Sequence, residues 1–168
     1  MRVRFIAASA LVLLGGLMSG PILAQSSGGT PTTQHAATDE EAIRAVLALY
    51  SVALNGGQTA AVLPLYTPDG IFMAPYSPSF IGQTEVRKAY DAVFAELKFD
   101  VRFDIAEVVQ MAPSWAFVRT NSAGTTLHHS TGKTTAEANQ ELFIFRKGDD
   151  GLWRIARYSF SPTNPPRL

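Results

Sequence analysis

The chain has 168 residues, with 14 Lys and Arg against 14 Asp and Glu, and no cysteine. The balanced charge argues against a nucleic-acid-binding surface. Without cysteine there is no disulfide, thiolate metal site or cysteine nucleophile, so a domain of this length must rest on its hydrophobic core.

The first 24 residues have the order of an export signal. Arg2 and Arg4 give a positive start, and an uncharged apolar stretch follows that ends at Ala24. This order predicts cleavage near Ala24, a periplasmic or secreted protein, and no membrane association after cleavage. A retained membrane anchor is the alternative, although the unbroken apolar part is short for a full span.

Residues 25–37 are uncharged and rich in Ser, Thr, Gly and Pro, which predicts a flexible leader. A single domain is predicted over residues 38–162, with residues 163–168 as a tail. The tail segment "SPTNPPRL" is expected not to join a sheet because of its prolines.

Helix signals come first in the predicted domain. Thr38 and Glu41 form a T-x-x-E capping box, and apolar residues then recur at helical spacing until Gly56-Gly57. A short second helix is predicted over residues 58–65 and a third over 82–98.

Between the last two helices, "TPDG" at residues 67–70 predicts a turn, "IFMA" a short strand and "PYSPSF" a loop. After residue 98 the apolar period changes from 3.6 to 2, which predicts four consecutive strands. Their predicted ranges begin at residue 99 with a bulge near Glu107–Val109, and continue over residues 115–127, 134–147 and 152–160.

The order of elements predicts the α+β class. We expect a cone, in which a strongly curved antiparallel sheet of one short and four long strands and three N-terminal helices enclose a cavity. In the third long strand, "EANQELFIF", one face carries Glu137, Asn139, Glu141, Phe143 and Phe145. That face is expected to look into the cone.

Four segments carry a family resemblance: "AIRAVLALYSVALNGGQTAAVLPLYTPDGIFMAP", "IGQTEVRKAYDAVF", "EANQELFIFRK" and "GLWRIARYSF". Through them the chain resembles the nuclear-transport-factor-2-like superfamily of SnoaL-like cyclases and ketosteroid isomerases, and within it the small bacterial SgcJ/EcaC-like proteins. This resemblance implies the cone fold and a homodimer packed through sheet faces. The sequence has no Gly-rich phosphate loop, nucleophile elbow or zinc motif, so no cofactor and no metal are expected.

The resemblance to the isomerases also implies site residues. Tyr50 matches their hydrogen-bond-donating tyrosine, and Glu141 lies near their strand carboxyl, which an apolar site keeps protonated. Their catalytic base corresponds to Ala74, and alanine cannot take a proton. Isomerase activity by the family's route is therefore not expected.

Each candidate also has a structural interpretation. Tyr50 fits a core tyrosine as well as a donor, and Asp69 fits a turn. Arg119 is expected to pair with Glu141 or Glu137. His128 and His129 are adjacent on a strand and point to opposite faces, so they do not predict a metal site.

Two functions remain open from the sequence. The first is an exported protein that binds a small apolar ligand with a carbonyl or hydroxyl group, with Glu141 as the acid/base if it is an enzyme. Its predicted ligand-binding residues are Phe72, Arg119, Asn139, Phe143, Tyr158 and Phe160. The second is a non-catalytic homodimeric interaction domain. An empty cavity of about 300 Å³ or more favours the first, and a filled one favours the second.

Overall fold

The structure is a computed structural model and describes residues 38–164. The predicted export signal and leader, and the last four residues of the predicted tail, lie outside the described residues. The α-helices are α1 (Asp39–Asn55), α2 (Thr59–Val62), which continues into a 3-10 turn at Leu63–Leu65, and α3 (Gly82–Glu96). The strands are β1 (Tyr66–Met73), β2 (Phe80–Ile81), β3 (Leu97–Ala112), β4 (Trp115–His128), β5 (Thr134–Lys147) and β6 (Trp153–Pro162).

The sheet confirms the predicted class. Its strand order is β2-β1-β6-β5-β4-β3, and β3 to β6 form the predicted antiparallel meander. A break in the β3–β4 register between Ile105 and Glu107 matches the predicted bulge. The sheet is mixed, however, because β1 runs parallel to β6.

Three local predictions differ from the structure. The residues of the predicted "TPDG" turn lie inside β1, where the register with β6 slips between Tyr66 and Ile71, so they form an irregularity within the strand. Phe80, predicted as loop, pairs with Phe72 in the short strand β2. The segment "SPTNPPRL" was expected to stay out of the sheet, yet β6 continues to Pro162; a proline at the end of a strand interrupts no interior ladder.

Helix α1 is held to the sheet at both ends. At its start the capping box is formed as predicted, with Thr38 N donating to the Glu41 carboxylate at 2.7 Å. The carboxylate of Asp39 accepts from Lys147 Nζ at 2.7 Å and from Trp153 Nε1 at 2.9 Å. At its end, the Asn55 side chain bonds the backbone N–H and C=O of a β3 residue at 2.9 and 2.8 Å. These contacts fix how far the helix stands from the curled sheet.

The helices cover one face of the sheet. Their buried residues meet the inward side chains of β4, β5 and β6 in one core that includes the buried side chains of Ile43, Leu47, Tyr90, Phe145 and Ile155. None of the helices in the described part of the chain has the length and apolarity to cross a membrane.

Candidate functional site

The inner face of β5 changes from apolar to polar along the strand. Phe143 and Phe145 are fully buried, Glu141 is 4% exposed and Asn139 is 8% exposed, whereas Leu142 on the other face is 41% exposed. The alternation of a strand places the polar residues on the same side as the helices. Thus the Glu/Asn/Phe face looks inward, as expected from the sequence.

A cavity of about 200 Å³ lies between this face and the helices. Its aromatic wall consists of Phe72, Tyr90, Phe99, Phe103, Tyr158 and Phe160. Aliphatic side chains complete the apolar part: Leu54, Ala74, Val93, Leu97 and Val101. The polar part is formed by Tyr50, Ser122, Glu137, Asn139 and Glu141. The cavity is neither filled by its own side chains nor as large as the roughly 300 Å³ expected, so it suits a small molecule.

Glu141 is the buried carboxyl of the cavity. Register pairs Thr120 of β4 with Glu141 of β5, and the hydroxyls of Thr120 and Ser122 both donate to the carboxylate. Burial raises the pKa of Glu141, and the nearby charge of Glu137 raises it further. The hydrogen bonds from the two hydroxyls lower the pKa, but by less than burial raises it. The site therefore holds a carboxyl with a proton affinity above that of an ordinary glutamate.

Glu137 and Asn139 continue the polar row towards the start of β5. Thr126 Oγ1 donates to Glu137 at 3.2 Å, and Asn139 Nδ2 donates to the same carboxylate at 2.9 Å. Asn139 Nδ2 also lies 3.4 Å from Ser122 Oγ. The Asn139 Oδ1 atom is buried and has no hydrogen-bond partner within the described residues.

Three tyrosine hydroxyls form a second polar group. Tyr90 OH lies 2.8 Å from Tyr50 OH and 3.0 Å from Tyr66 OH, and all three side chains are buried. Burial raises the pKa of each tyrosine, so all three are neutral donors at physiological pH. Tyr50 is thus a core tyrosine whose side chain also lines the cavity.

The comparisons with known proteins agree with this geometry. Residues 46–158 match the SnoaL-like domain model. The chain belongs to the SnoaL-like domain family. This confirms the resemblance to the nuclear-transport-factor-2-like superfamily, while the closer relation to SgcJ/EcaC-like proteins stays a prediction. The search among curated proteins found no significant match.

Solved structures show the same SnoaL-like architecture. A ketosteroid isomerase-like protein from Erwinia carotovora atroseptica is 40% identical with a TM-score of 0.72, and the match covers 76% of this chain and 100% of that one. A conserved protein from Planctomyces limnophilus is 25% identical with a TM-score of 0.66, covering 74% and 97%. A protein with a cystatin-like fold from Caulobacter vibrioides, at 17% identity and a TM-score of 0.63 over 75% and 90%, shows the fold alone.

Most of the site residues predicted for this SnoaL-like domain lie together. Those that line the cavity are Tyr50, Phe72, Asn139, Glu141, Tyr158 and Phe160. Phe143 does not line it; its ring is fully buried and stacks on Tyr158 with centroids 4.2 Å apart, so it supports the wall from behind. The prediction of Phe143 as a ligand contact is therefore corrected.

The prediction for Arg119 was wrong. Thr120 lies opposite Glu141, so Arg119, one residue earlier, points to the outer face of the sheet. There its guanidinium pairs with Glu107 of β3, and not with Glu141 or Glu137. It borders a second pocket of about 230 Å³, which shares Glu141 and Phe160 with the cavity.

Other candidates have structural roles. Asp69 pairs with Arg146 at 3.1 Å, and this guanidinium lowers the pKa of Asp69. His128 and His129 bind different partners, Thr135 Oγ1 at 3.1 Å and Ala95 O at 3.0 Å. In residues 38–164 no three His, Asp or Glu side chains converge on a possible metal position.

The sequence did not point to Tyr66 and Tyr90 as polar site residues. Tyr90 fitted the buried stripe of α3 and Tyr66 preceded an expected turn, so each was explained by packing. Their hydroxyls meet Tyr50 only because β1 and α3 pack beside α1. The available signal was the tyrosine in each apolar stripe, since a buried tyrosine needs a partner for its hydroxyl.

Proposed function

We propose that this protein binds a small, mostly apolar molecule with a carbonyl or hydroxyl group in the cavity. Glu141 would exchange a proton with that molecule. The observation that carries the proposal is a buried carboxyl with a raised pKa at the polar end of an aromatic-walled cavity.

Glu141 is the proposed acid/base because of what surrounds it. Ala74 lines the cavity at the position where the isomerases have their base. Glu141 has the properties that proton transfer requires, namely a raised pKa and two hydroxyl donors that hold its orientation. In the ionised form, it would take a proton from the carbon next to the ligand carbonyl and later return it to the same or a neighbouring carbon.

Tyr50 is the proposed partner for the ligand oxygen. Its neutral hydroxyl belongs to the tyrosine group, and its side chain lines the cavity. When the proton leaves carbon, negative charge develops on the carbonyl oxygen, and a preorganised hydroxyl donor would stabilise it. Return of the proton to carbon restores both Glu141 and the tyrosine group.

The volume limits the ligand to about one ring. Sites for drug-sized ligands have roughly 300–1,000 Å³, whereas an apolar cavity of about 150 Å³ holds benzene. The cavity here has about 200 Å³. A monocyclic ketone or phenol is therefore a better candidate than a four-ring steroid.

The test uses cyclohexanone in deuterated buffer, with exchange of its α-hydrogens followed by NMR. The wild-type protein is expected to accelerate exchange above the buffer rate, and Glu141→Gln is expected to remove about 100-fold of that acceleration or more. Glu107→Gln is the matched control, since Glu107 lies on the outer face and pairs with Arg119.

Two results would contradict proton transfer by Glu141. One is a wild-type rate equal to that of buffer, and the other is equal acceleration by wild type and Glu141→Gln. Binding is judged separately, by the shift in melting temperature that cyclohexanone and phenol produce. Absence of any shift at millimolar ligand would contradict the binding proposal too.

A second candidate function is a non-catalytic homodimeric interaction domain. Apolar side chains on the outer face of the sheet favour it. Phe117 and Ile144 are partly exposed there, with Leu142 and Val109 at 41% and 37% exposure. Such a surface suits a partner of the same chain, and the two candidates are compatible because the cavity lies on the opposite side of the strands. Export to the periplasm or the medium stays a prediction from the sequence.

A further inference from the structure

The polar lining of the cavity offers acceptors and lacks cations. It contains the carboxylates of Glu137 and Glu141 and the amide of Asn139. Among its lining residues in the described part of the chain, none is Lys, Arg or His. The ion pairs found within residues 38–164 all use other carboxylates, such as Asp39, Glu107 and Asp150.

The protein's own donors near these groups are already used. The Ser122 hydroxyl gives its one hydrogen to Glu141, so it can only accept from Asn139. Asn139 Nδ2 therefore faces two acceptors, Ser122 Oγ and Glu137 Oε1. A half-turn flip of the amide would place Asn139 Oδ1 against these acceptors, which is unfavourable because neither of them could donate. This orientation leaves Asn139 Oδ1 without a donor among the residues that the structure describes.

Such a row is unfavourable with the protein's own donors alone. Asn139 and Glu141 are buried and Glu137 is partly buried. A buried acceptor without a donor is destabilising, and carboxylates removed from water ordinarily have a cationic partner or a metal. Glu137 receives only the neutral donors Thr126 and Asn139 from residues 38–164, and Glu141 receives only two hydroxyls. The missing complement is a group with a positive charge and several N–H donors.

The aromatic part of the cavity suits the ring of such a ligand. The rings of Phe72, Tyr158 and Phe160 stack nearly parallel, with interplanar angles of 15–25° between pairs. Tyr90 stacks on Phe72 with centroids 5.1 Å apart. Aromatic rings pair favourably with one another in offset-stacked and edge-to-face arrangements, so this part of the cavity accepts a further ring.

We propose that the ligand of this cavity is a small aromatic or cyclic amine, bound in its protonated form with its ammonium group at the Glu137 and Asn139 end. The inference rests on the proposed function and deepens it by adding a positive charge to the ligand class. The ring would fill the aromatic part, and the ammonium would donate to Glu137 and, after a small rotation of the amide, to Asn139. Glu141 would remain at the inner end for a carbonyl or hydroxyl group.

The test compares three one-ring ligands of similar size on the purified protein by isothermal titration calorimetry at neutral pH. Benzylamine is protonated there, benzyl alcohol is its neutral counterpart, and benzoate is an anion. The expected order is benzylamine tighter than benzyl alcohol by about tenfold or more, with no measurable binding of benzoate.

A variant then assigns the effect to its residue. Glu137→Gln is expected to reduce the preference for benzylamine over benzyl alcohol to less than about threefold. Glu85→Gln, on the exposed side of α3 and paired with Lys88, is the control and should keep the full preference. If Glu137→Gln does not fold, the wild-type comparison alone still decides.

The outcomes separate this inference from the proposed function. Equal or tighter binding of benzyl alcohol would overturn the cationic ligand and leave the pocket for neutral molecules intact. Tighter binding of benzylamine that survives Glu137→Gln would also overturn it, because the charge would then be recognised elsewhere. If none of the three ligands binds, the proposed binding function falls, and this inference falls with it.

Discussion

At the scale of single residues, Glu141 is balanced between two opposing influences. Burial disfavours its ionised form, while the hydroxyls of Thr120 and Ser122 favour it. Burial is the larger influence, so the pKa is raised. The folded chain therefore keeps the proton of Glu141 to a higher pH than the unfolded chain does.

This balance predicts how Glu141→Gln changes stability with pH. Because the folded-state pKa is raised, the wild-type chain loses stability as pH rises from the unfolded value of about 4.5 through the folded value. Glutamine cannot ionise; its amide oxygen can accept from one of the two hydroxyls, and its amide nitrogen can donate to the oxygen of the other. The free energy of unfolding of the variant should equal that of the wild type at about pH 4. At about pH 7.5 it should be larger, because one pH unit of difference in pKa corresponds to about 1.4 kcal/mol.

Urea denaturation of both chains at several pH values measures the difference. Glu85→Gln, which removes an exposed carboxylate from α3, corrects for the general effect of surface charge. A difference between Glu141→Gln and wild type that does not change with pH would show that burial does not control this carboxyl.

Whether a residue lies in the site could be predicted where the alternation of a strand alone determines its side of the sheet. The inward row of β5 followed from its period of 2, so Asn139 and Glu141 were placed on the correct side. Arg119 was misplaced because the side of a β4 residue relative to β5 depends on strand register, and turn residues determine that register. The meeting of the three tyrosine hydroxyls depends on how helices dock, which no local pattern encodes.

At the scale of elements, Gly124 marks where β4 comes close to β3. A Cβ atom on this glycine would lie 2.8 Å from Val101 Cα and closer still to Asp100 O. Both neighbours are backbone atoms, so neither can move aside cheaply. A glycine in a strand interior often marks such a close approach of another backbone segment. The sheet can therefore curl around the cavity at this point.

Gly124→Ala is expected to destabilise the fold and to disturb the cavity. Forcing one extra carbon into a well-packed place costs about 1–3 kcal/mol, and here β3 would have to move away from β4. Thermal denaturation measures the loss, and Ala123→Ser is the control because the Ala123 side chain is exposed. An unchanged melting temperature for Gly124→Ala would mean that the two strands are further apart than the structure has them.

Helices and strands were predicted well where their apolar pattern extends over many residues. The capping box located the start of α1, and the period of 2 located the four long strands. Short elements were missed, because the two residues of β2 carry too little pattern to be told from a loop. Residues 67–70 have the composition of a turn, yet pairing with β6 draws them into β1, so tertiary contacts override the local turn preference.

At the scale of the whole molecule, the sheet has two different faces. The inner face forms the core and the cavity, and the outer face carries apolar side chains among polar ones. Leu142 lies in the middle of this outer face, on a central strand. An exposed apolar surface on a sheet is a candidate for self-association, as the resemblance to the superfamily also implies.

We therefore predict a homodimer that packs through the outer face and depends on Leu142. Leu142→Asp would place a carboxylate in the centre of a two-fold interface, opposite its own copy, and like charges there oppose association. Analytical ultracentrifugation over a range of concentrations should show a dimer for the wild type and a monomer for the variant. Leu152→Asp is the matched control: Leu152 is 57% exposed but lies in the turn before β6, so the dimer should persist. A monomeric wild type would contradict the predicted dimer, and equal loss of the dimer in both variants would contradict its interface. The cavity would then have to function without a partner packed on this face.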